Sequence, residues 1–243
     1  ITQQTTYPTP SERRAKALVG RVTHQNNTTI TFANTFPDVK NGIVSQFYDL
    51  CDAMAPFKIG GLVVTTNGAN LSFNRSSGSA FFRSASWSST PSNPHTLNFT
   101  SQTLQPFRKM TQTTIVDGSD VTVVEPNYYD VAGTRTLNPG GNGTATIQRV
   151  FLYKSGGVRV AYGQNVYNNL ATALSSINQD NFVANQTIEK SAILIGYIVL
   201  TKDCTNLTNT TKARVLTAAR FDAGGSAAAG GTTSLQQAYL NSV

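Results

Sequence analysis

A chain of 243 residues is long enough for one large domain or two small ones, and buries enough surface to need neither disulfides nor metal for a core. Hydrophobic residues make up 39% and charged residues only 13%, so Thr, Ser, Asn and Gln must supply the polar surface, as on hydroxylated strand faces. The net charge of +7 is carried by scattered cations and one dense cluster, Arg13, Arg14, Lys16 and Arg21. Without an aromatic-lined basic groove this argues against a nucleic-acid interface, and no apolar run approaches the roughly 18 residues of a membrane span.

Residues 1–15, rich in Thr, Gln and Pro, read as an extended arm. A strand is expected over 16–24, a turn at Asn26-Asn27 and a second strand over 28–32. Asn41 can cap a helix over 41–55, which places Ile43, Phe47, Leu50, Cys51 and Met54 on one face, packed on a sheet, and Pro56 ends it. Short strands follow over 59–66, 70–75, 80–84 and 96–100. Asp117-Gly118 between 113–116 and 121–124 is a two-residue hairpin signal, because both turn positions favour positive φ.

The loop Asn138-Pro-Gly-Gly-Asn-Gly143 divides a β-rich subdomain, 16–137, from a second one, 144–222. In the second, 144–154 and 158–163 flank a Ser155-Gly156-Gly157 hairpin turn. A helix over 166–177 presents Val166, Leu170, Ala173, Leu174 and Ile177 on one side. The apolar run from Ala192 to Leu200 is a buried strand within 191–200, and a last strand over 212–219 returns antiparallel to it across the Asn/Thr-rich loop 203–211. Residues 223–243 hold a Gly/Ala linker and then a fresh apolar segment with Leu235, Tyr239 and Leu240, as if a further module followed or a neighbouring chain were contacted. The sequence opens at Ile1 in the manner of a piece of a longer chain. The fold class expected is mainly β, an antiparallel sandwich of jelly-roll-like kind, with the two short helices 41–55 and 166–177 covering it.

Chemistry-bearing residues are sparse. His24 and His95 stand apart from any second ligand, and Cys51 and Cys204 match no metal spacing, so no metal or cofactor is expected and the thiols read as free and buried. No nucleophile elbow or phosphate-binding glycine motif occurs. The 12 carboxylates leave Asp117, Asp120, Glu125 and Asp130 as the candidates for a glycosidase-like acid/base pair, with Asp117 and Asp120 better explained as turn formers. The chain therefore reads as a non-enzyme. Trp87, Tyr128 and Tyr129, in or beside polar loops, are candidates for stacking a sugar ring or for anchoring loop bases. Asn-x-Ser/Thr triplets such as those at Asn70, Asn98, Asn142, Asn185 and Asn206 follow from an Asn- and Thr-rich composition.

Several stretches, taken in order, resemble bacteriophage tail and head-fibre proteins. They are Arg13-Arg-Ala-Lys-Ala-Leu-Val-Gly20, Asn67-Gly-Ala-Asn-Leu71, Asn93-Pro-His95, Gln148-Arg-Val-Phe-Leu-Tyr153, Tyr162-Gly-Gln-Asn-Val-Tyr167, Ala192 to Leu200 and Ser234-Leu-Gln-Gln-Ala-Tyr239. The resemblance implies a structural part of an extracellular virion, a homotrimer attached to head or tail beside other virion proteins and in some cases touching the host. It carries no catalytic site to transfer. A threefold axis would suit Leu235, Tyr239 and Leu240 as oligomer contacts. The alternative is a receptor-binding, lectin-like module for host surface glycans.

Overall fold

The structure, a computed structural model, describes residues 21–24, 30–34, 46, 47, 50, 54–83, 85, 95–185, 188 and 191–219. The chain forms two compact units, residues 1–53 and 54–243.

In the first unit β1 (Arg21–His24) pairs antiparallel with β2 (Ile30–Asn34), with a register shift between Thr23 and His24. The turn at Asn26-Asn27 lies outside the described residues. Of the helix expected over 41–55, Gln46, Phe47, Leu50 and Met54 are helical. Phe47 and Leu50 are 51% and 55% exposed, and Ile43 and Cys51, the other residues of the expected apolar face in this unit, lie outside the described residues.

The second unit is mainly β. Its backbone is a five-stranded sheet in the order β14-β13-β11-β12-β8, built from β8 (Arg108–Met110), β11 (Ala145–Tyr153), β12 (Val158–Ala161), β13 (Ala192–Thr201) and β14 (Ala213–Thr217). All pairs are antiparallel except β12 with β8, which run parallel. Every residue of β11 and β13 is buried, the sheet being covered on both faces; β13 reads as an apolar run for that reason, whereas β11 carries Gln148 and Arg149 inside its apolar stretch.

The two faces carry separate cores. Val150, Leu152, Ile193, Ile195, Ile198 and Leu200 point to one, with Leu62, Val64, Phe73 and Phe82 packed over them. Ile147, Phe151, Tyr153, Leu194, Tyr197 and Val199 point to the other, beneath Ala173, Phe182 and Ile188. In β13 the inward parity changes from odd (193, 195) to even (198, 200). A β-bulge does this: Val150 faces Gly196 and Phe151 faces Leu194, so one extra residue of β13 is absorbed there. Gly196 suits the bulge because a Cβ would sit 2.8 Å from the Leu216 carbonyl oxygen and 2.9 Å from Val64 Cγ2.

The first face is covered by two small antiparallel sheets. One is β3 (Phe57–Gly61), β6 (Gly78–Phe81) and β7 (Thr96–Phe99); the other is β4 (Val64–Thr66) with β5 (Phe73–Arg75). The strand expected over 59–66 is thus two strands. Gly61 and Leu62 adopt φ of +67° and +54°, which turns the chain from one small sheet into the other. A small hairpin, β9 (Tyr128–Val131) with β10 (Thr134–Leu137), turns through Ala132 and Gly133.

The second face is covered by α1 (Leu170–Ser175), shorter than the helix expected over 166–177. Tyr167 is held extended by a pair of backbone hydrogen bonds with Ala145, 2.8 and 2.9 Å, and the Asn169 side chain caps the helix by accepting from Thr172 N at 2.8 Å. Leu170, Ala173, Leu174 and Ile177 of the expected apolar face pack on the core, whereas Val166 lies ahead of the helix and Ile177 just beyond its end.

Two further expectations change. The Asp117-Gly118 hairpin does not form. Ile115 pairs with Met110 and Val121 with Phe107, so both flanking segments turn to β8 instead of to each other. Asp117 Oδ2 accepts from the Lys109 backbone N at 2.6 Å, and Gly118 needs no positive φ. Nor does the loop 138–143 separate two sheets: β8 lies in the same sheet as β11–β14, and Lys202 Nζ ties the loop down by donating to the Asn138 and Gly140 carbonyls at 2.7 and 2.8 Å.

Candidate functional site

Glu125 follows Val124, whose backbone N bonds the Leu71 carbonyl at 3.0 Å. That fixes Glu125 where three side chains, from Lys109, Arg135 and Tyr162, converge on its carboxylate. Lys109 Nζ from β8 lies 2.7 Å from Oε1. Arg135 from β10 brings Nε to 2.9 Å and Nη2 to 2.8 Å of Oε2, and the Tyr162 hydroxyl donates to the same oxygen at 2.5 Å. Lys109 is shared with Asp117 Oδ1 at 3.4 Å. Burial alone would raise the Glu125 pKa, but donation from Lys109, Tyr162 and Arg135 outweighs it and holds the carboxyl below its usual range. Burial and the neighbouring carboxylate together push the Tyr162 phenol up. Two carboxylates and two cations make a neutral cluster, with Glu125 locked as the anion, the opposite of the raised pKa a general acid requires.

The remaining acid candidates are occupied as turn or surface groups. Asp130 is buried and accepts from Gln112 N at 2.5 Å and Gly133 N at 2.7 Å, which organises the β9–β10 turn. Asp120 pairs with Arg108 at 2.9 Å on the surface. The sequence candidates Asp117 and Glu125 thus meet across Lys109, while Asp120 and Asp130 are held by other partners.

Of the aromatic candidates, Tyr128 has the Arg135 guanidinium 3.4 Å above its ring centre, which covers one face against any sugar. Tyr129 is half-buried in β9, and Trp87 lies outside the described residues, as do Leu235, Tyr239 and Leu240. His95 Nδ1 lies 3.1 Å from the Ala85 carbonyl and its ring centre 5.7 Å from that of Phe81. Cys204 is a free buried thiol whose pKa burial raises; Cys51 lies outside the described residues. No group of three or more His, Cys, Asp or Glu side chains gathers at metal-binding distance among the described residues, and none of their helices is long and apolar enough to cross a membrane.

Three of the Asn-x-Ser/Thr triplets or their neighbours have a local structural use. Asn70, Asn206 and Asn209 each accept from the backbone N two residues on, at 2.8, 2.8 and 3.1 Å, closing side-chain turns in the loops that carry them.

What the sequence did not reveal is an arginine-lined cleft of about 370 Å³ between the end of β5, the 102–106 segment and the β11–β12 turn. Arg75, Arg108 and Arg159 line it together with Gln102, Gln105 and Asp120. Scattered through the sequence, these arginines form no motif; strand pairing assembles them, and Arg108 stands directly opposite Arg159 across β8 and β12.

No family model matches the chain, and comparison with curated proteins and with solved structures found no match.

Proposed function

We propose that the protein is a structural component of a bacteriophage virion, a module of a tail or head fibre or similar appendage, working as a homotrimer among other virion proteins on the extracellular particle. The observation that carries this reading is in the first unit. Val22, Ile30 and Phe32 on the β1–β2 hairpin are 54%, 65% and 59% exposed, and Leu50 on the helical segment is 55% exposed. A monomer in water gains nothing from such a surface, whereas copies packed around an axis would bury it. The second unit supports the same reading. Its core lies on both faces of one sheet, and the carboxylates that would serve catalysis are spent on internal bonds.

Light scattering of the full chain tests the assembly. A trimer is expected, three times the 26.0 kDa of one chain. A monomer at all concentrations would contradict it.

The second reading, a receptor-binding module for host surface glycans, draws its support from the arginine cleft rather than from the aromatic side chains.

A further inference from the structure

Arg75 is 6% exposed, and among the described residues it makes no ion pair; its guanidinium lies 5.7 Å from the Phe99 ring centre. Its Nε donates to Gln105 Oε1 at 2.8 Å, a neutral acceptor, and Nη1 has no hydrogen-bond partner among the described residues. A buried guanidinium in this state forfeits the hydration it had in the unfolded chain and receives little in return. Burial lowers its pKa, the direction expected for a cation without a counter-ion. The backbone holds it in place, because Arg75 and Gln102 exchange hydrogen bonds of 2.9 and 2.7 Å.

The same cleft holds a second electrostatic anomaly. Arg108 and Arg159 are directly paired across β8 and β12, an arrangement of like charges that costs stability. Arg159 is steadied by Tyr153, its guanidinium 4.3 Å above the ring centre and Nη1 donating to the hydroxyl at 3.2 Å. Among the lining residues Asp120 is the sole carboxylate, and it is bound to Arg108 at the surface. Three arginines and one carboxylate, Asp120, thus line a space of about 370 Å³, within the range of small-ligand pockets and roomy enough for a monosaccharide.

We propose that this cleft binds the oxyanion of an acidic sugar, with the carboxylate or phosphate ester placed between Arg75, Arg108 and Arg159 and the ring lying over the turn Ser155-Gly156-Gly157. Guanidinium groups suit such oxyanions because each offers paired donors in a plane. The inference names a ligand class for the receptor-binding reading and stands or falls apart from the appendage reading, which it does not use.

The test is titration calorimetry of the full chain with glucuronate, glucose 6-phosphate, inorganic phosphate and glucose. Both acidic sugars are expected to bind and glucose to give no heat. Arg75→Met should weaken the acidic sugars about tenfold, the loss of one charged hydrogen-bonding partner. Should that buried substitution unfold the chain, the surface change Arg108→Gln should still weaken binding, and Asp120→Asn should strengthen it by removing the competing anion. Absence of binding by either acidic sugar overturns the proposal, as does binding that Arg108→Gln and Asp120→Asn leave unchanged. Inorganic phosphate binding as tightly as glucose 6-phosphate overturns the assignment to a sugar.

Discussion

Asp180→Ala is expected to destabilise the second unit by about 3–5 kcal/mol, the range seen when one member of a buried ion pair is removed. Arg149 enters from β11 with its side chain 4% exposed, and Asp180 from the segment after α1 with its side chain 1% exposed; Arg149 Nη2 lies 2.8 Å from Asp180 Oδ2. The guanidinium also lies 4.2 Å above the Phe182 ring centre; Arg149 Nη1 and Asp180 Oδ2 make no hydrogen bond among the described residues, so the 2.8 Å approach is a charge contact rather than an aligned hydrogen bond. Asp180 Oδ1 accepts from the Tyr167 hydroxyl at 2.5 Å and from Asn165 Nδ2 at 2.7 Å. Removing the carboxylate therefore strands a cation in the core and frees the two groups that fix the approach to α1. For a unit of this size the midpoint of thermal unfolding should fall on the order of 10 °C. The double change Arg149→Met with Asp180→Leu should recover much of the loss, since apolar replacement of a buried pair is often neutral. A single variant within about 1 kcal/mol of the parent, well under the usual cost of a buried pair, would show that water reaches the pair.

Glu125→Ala is the second large effect, about 2–3 kcal/mol by the usual worth of hydrogen bonds to charged groups. It leaves Lys109 with Asp117 alone, at 3.4 Å, and takes the counter-charge from Arg135 and the acceptor from Tyr162. The same site sets a pH dependence. The folded-state pKa of Glu125 is lowered, so its contribution is fully present above the ordinary Glu value of about 4.3 and is lost as pH falls through the lower folded value. Chemical denaturation from pH 7 down into the acid range should show the parent losing stability below the ordinary Glu pKa, and Glu125→Ala losing less over the same interval. Equal acid sensitivity in both proteins would remove Glu125 from the account.

How legible this was in the sequence depended on where each segment's partners lie. β13 is legible nearly to the residue, because a strand covered on both faces is apolar almost throughout; β11 and β14 show through the apolar and β-branched residues around Gln148, Arg149 and Arg214. The turn Ser155-Gly156-Gly157 carries its own signal in Gly156, at φ +85°. The Asp117-Gly118 turn failed for the opposite reason. Its flanking segments have a better partner in β8, and the Asp117 carboxylate satisfies a strand N–H that the hairpin would have left alone. Helix α1 was placed correctly in its apolar face from Leu170 on and too early in its start, because Tyr167 is needed to pair with Ala145. The Glu125 cluster was half visible, its acids named but not the cations from β8 and β10 that hold it ionised. Arg75 was invisible, since nothing local marks an arginine that a distant loop will bury.

The most direct test of the central claim is to look for the protein on particles. Virions purified from cultures of the source, labelled with gold-conjugated antibody raised against residues 54–219, should carry gold at an appendage of head or tail, and the protein should co-purify with them at a fixed ratio to the other virion proteins. Unlabelled particles, with the protein recovered from the cell fraction alone, would contradict a virion role.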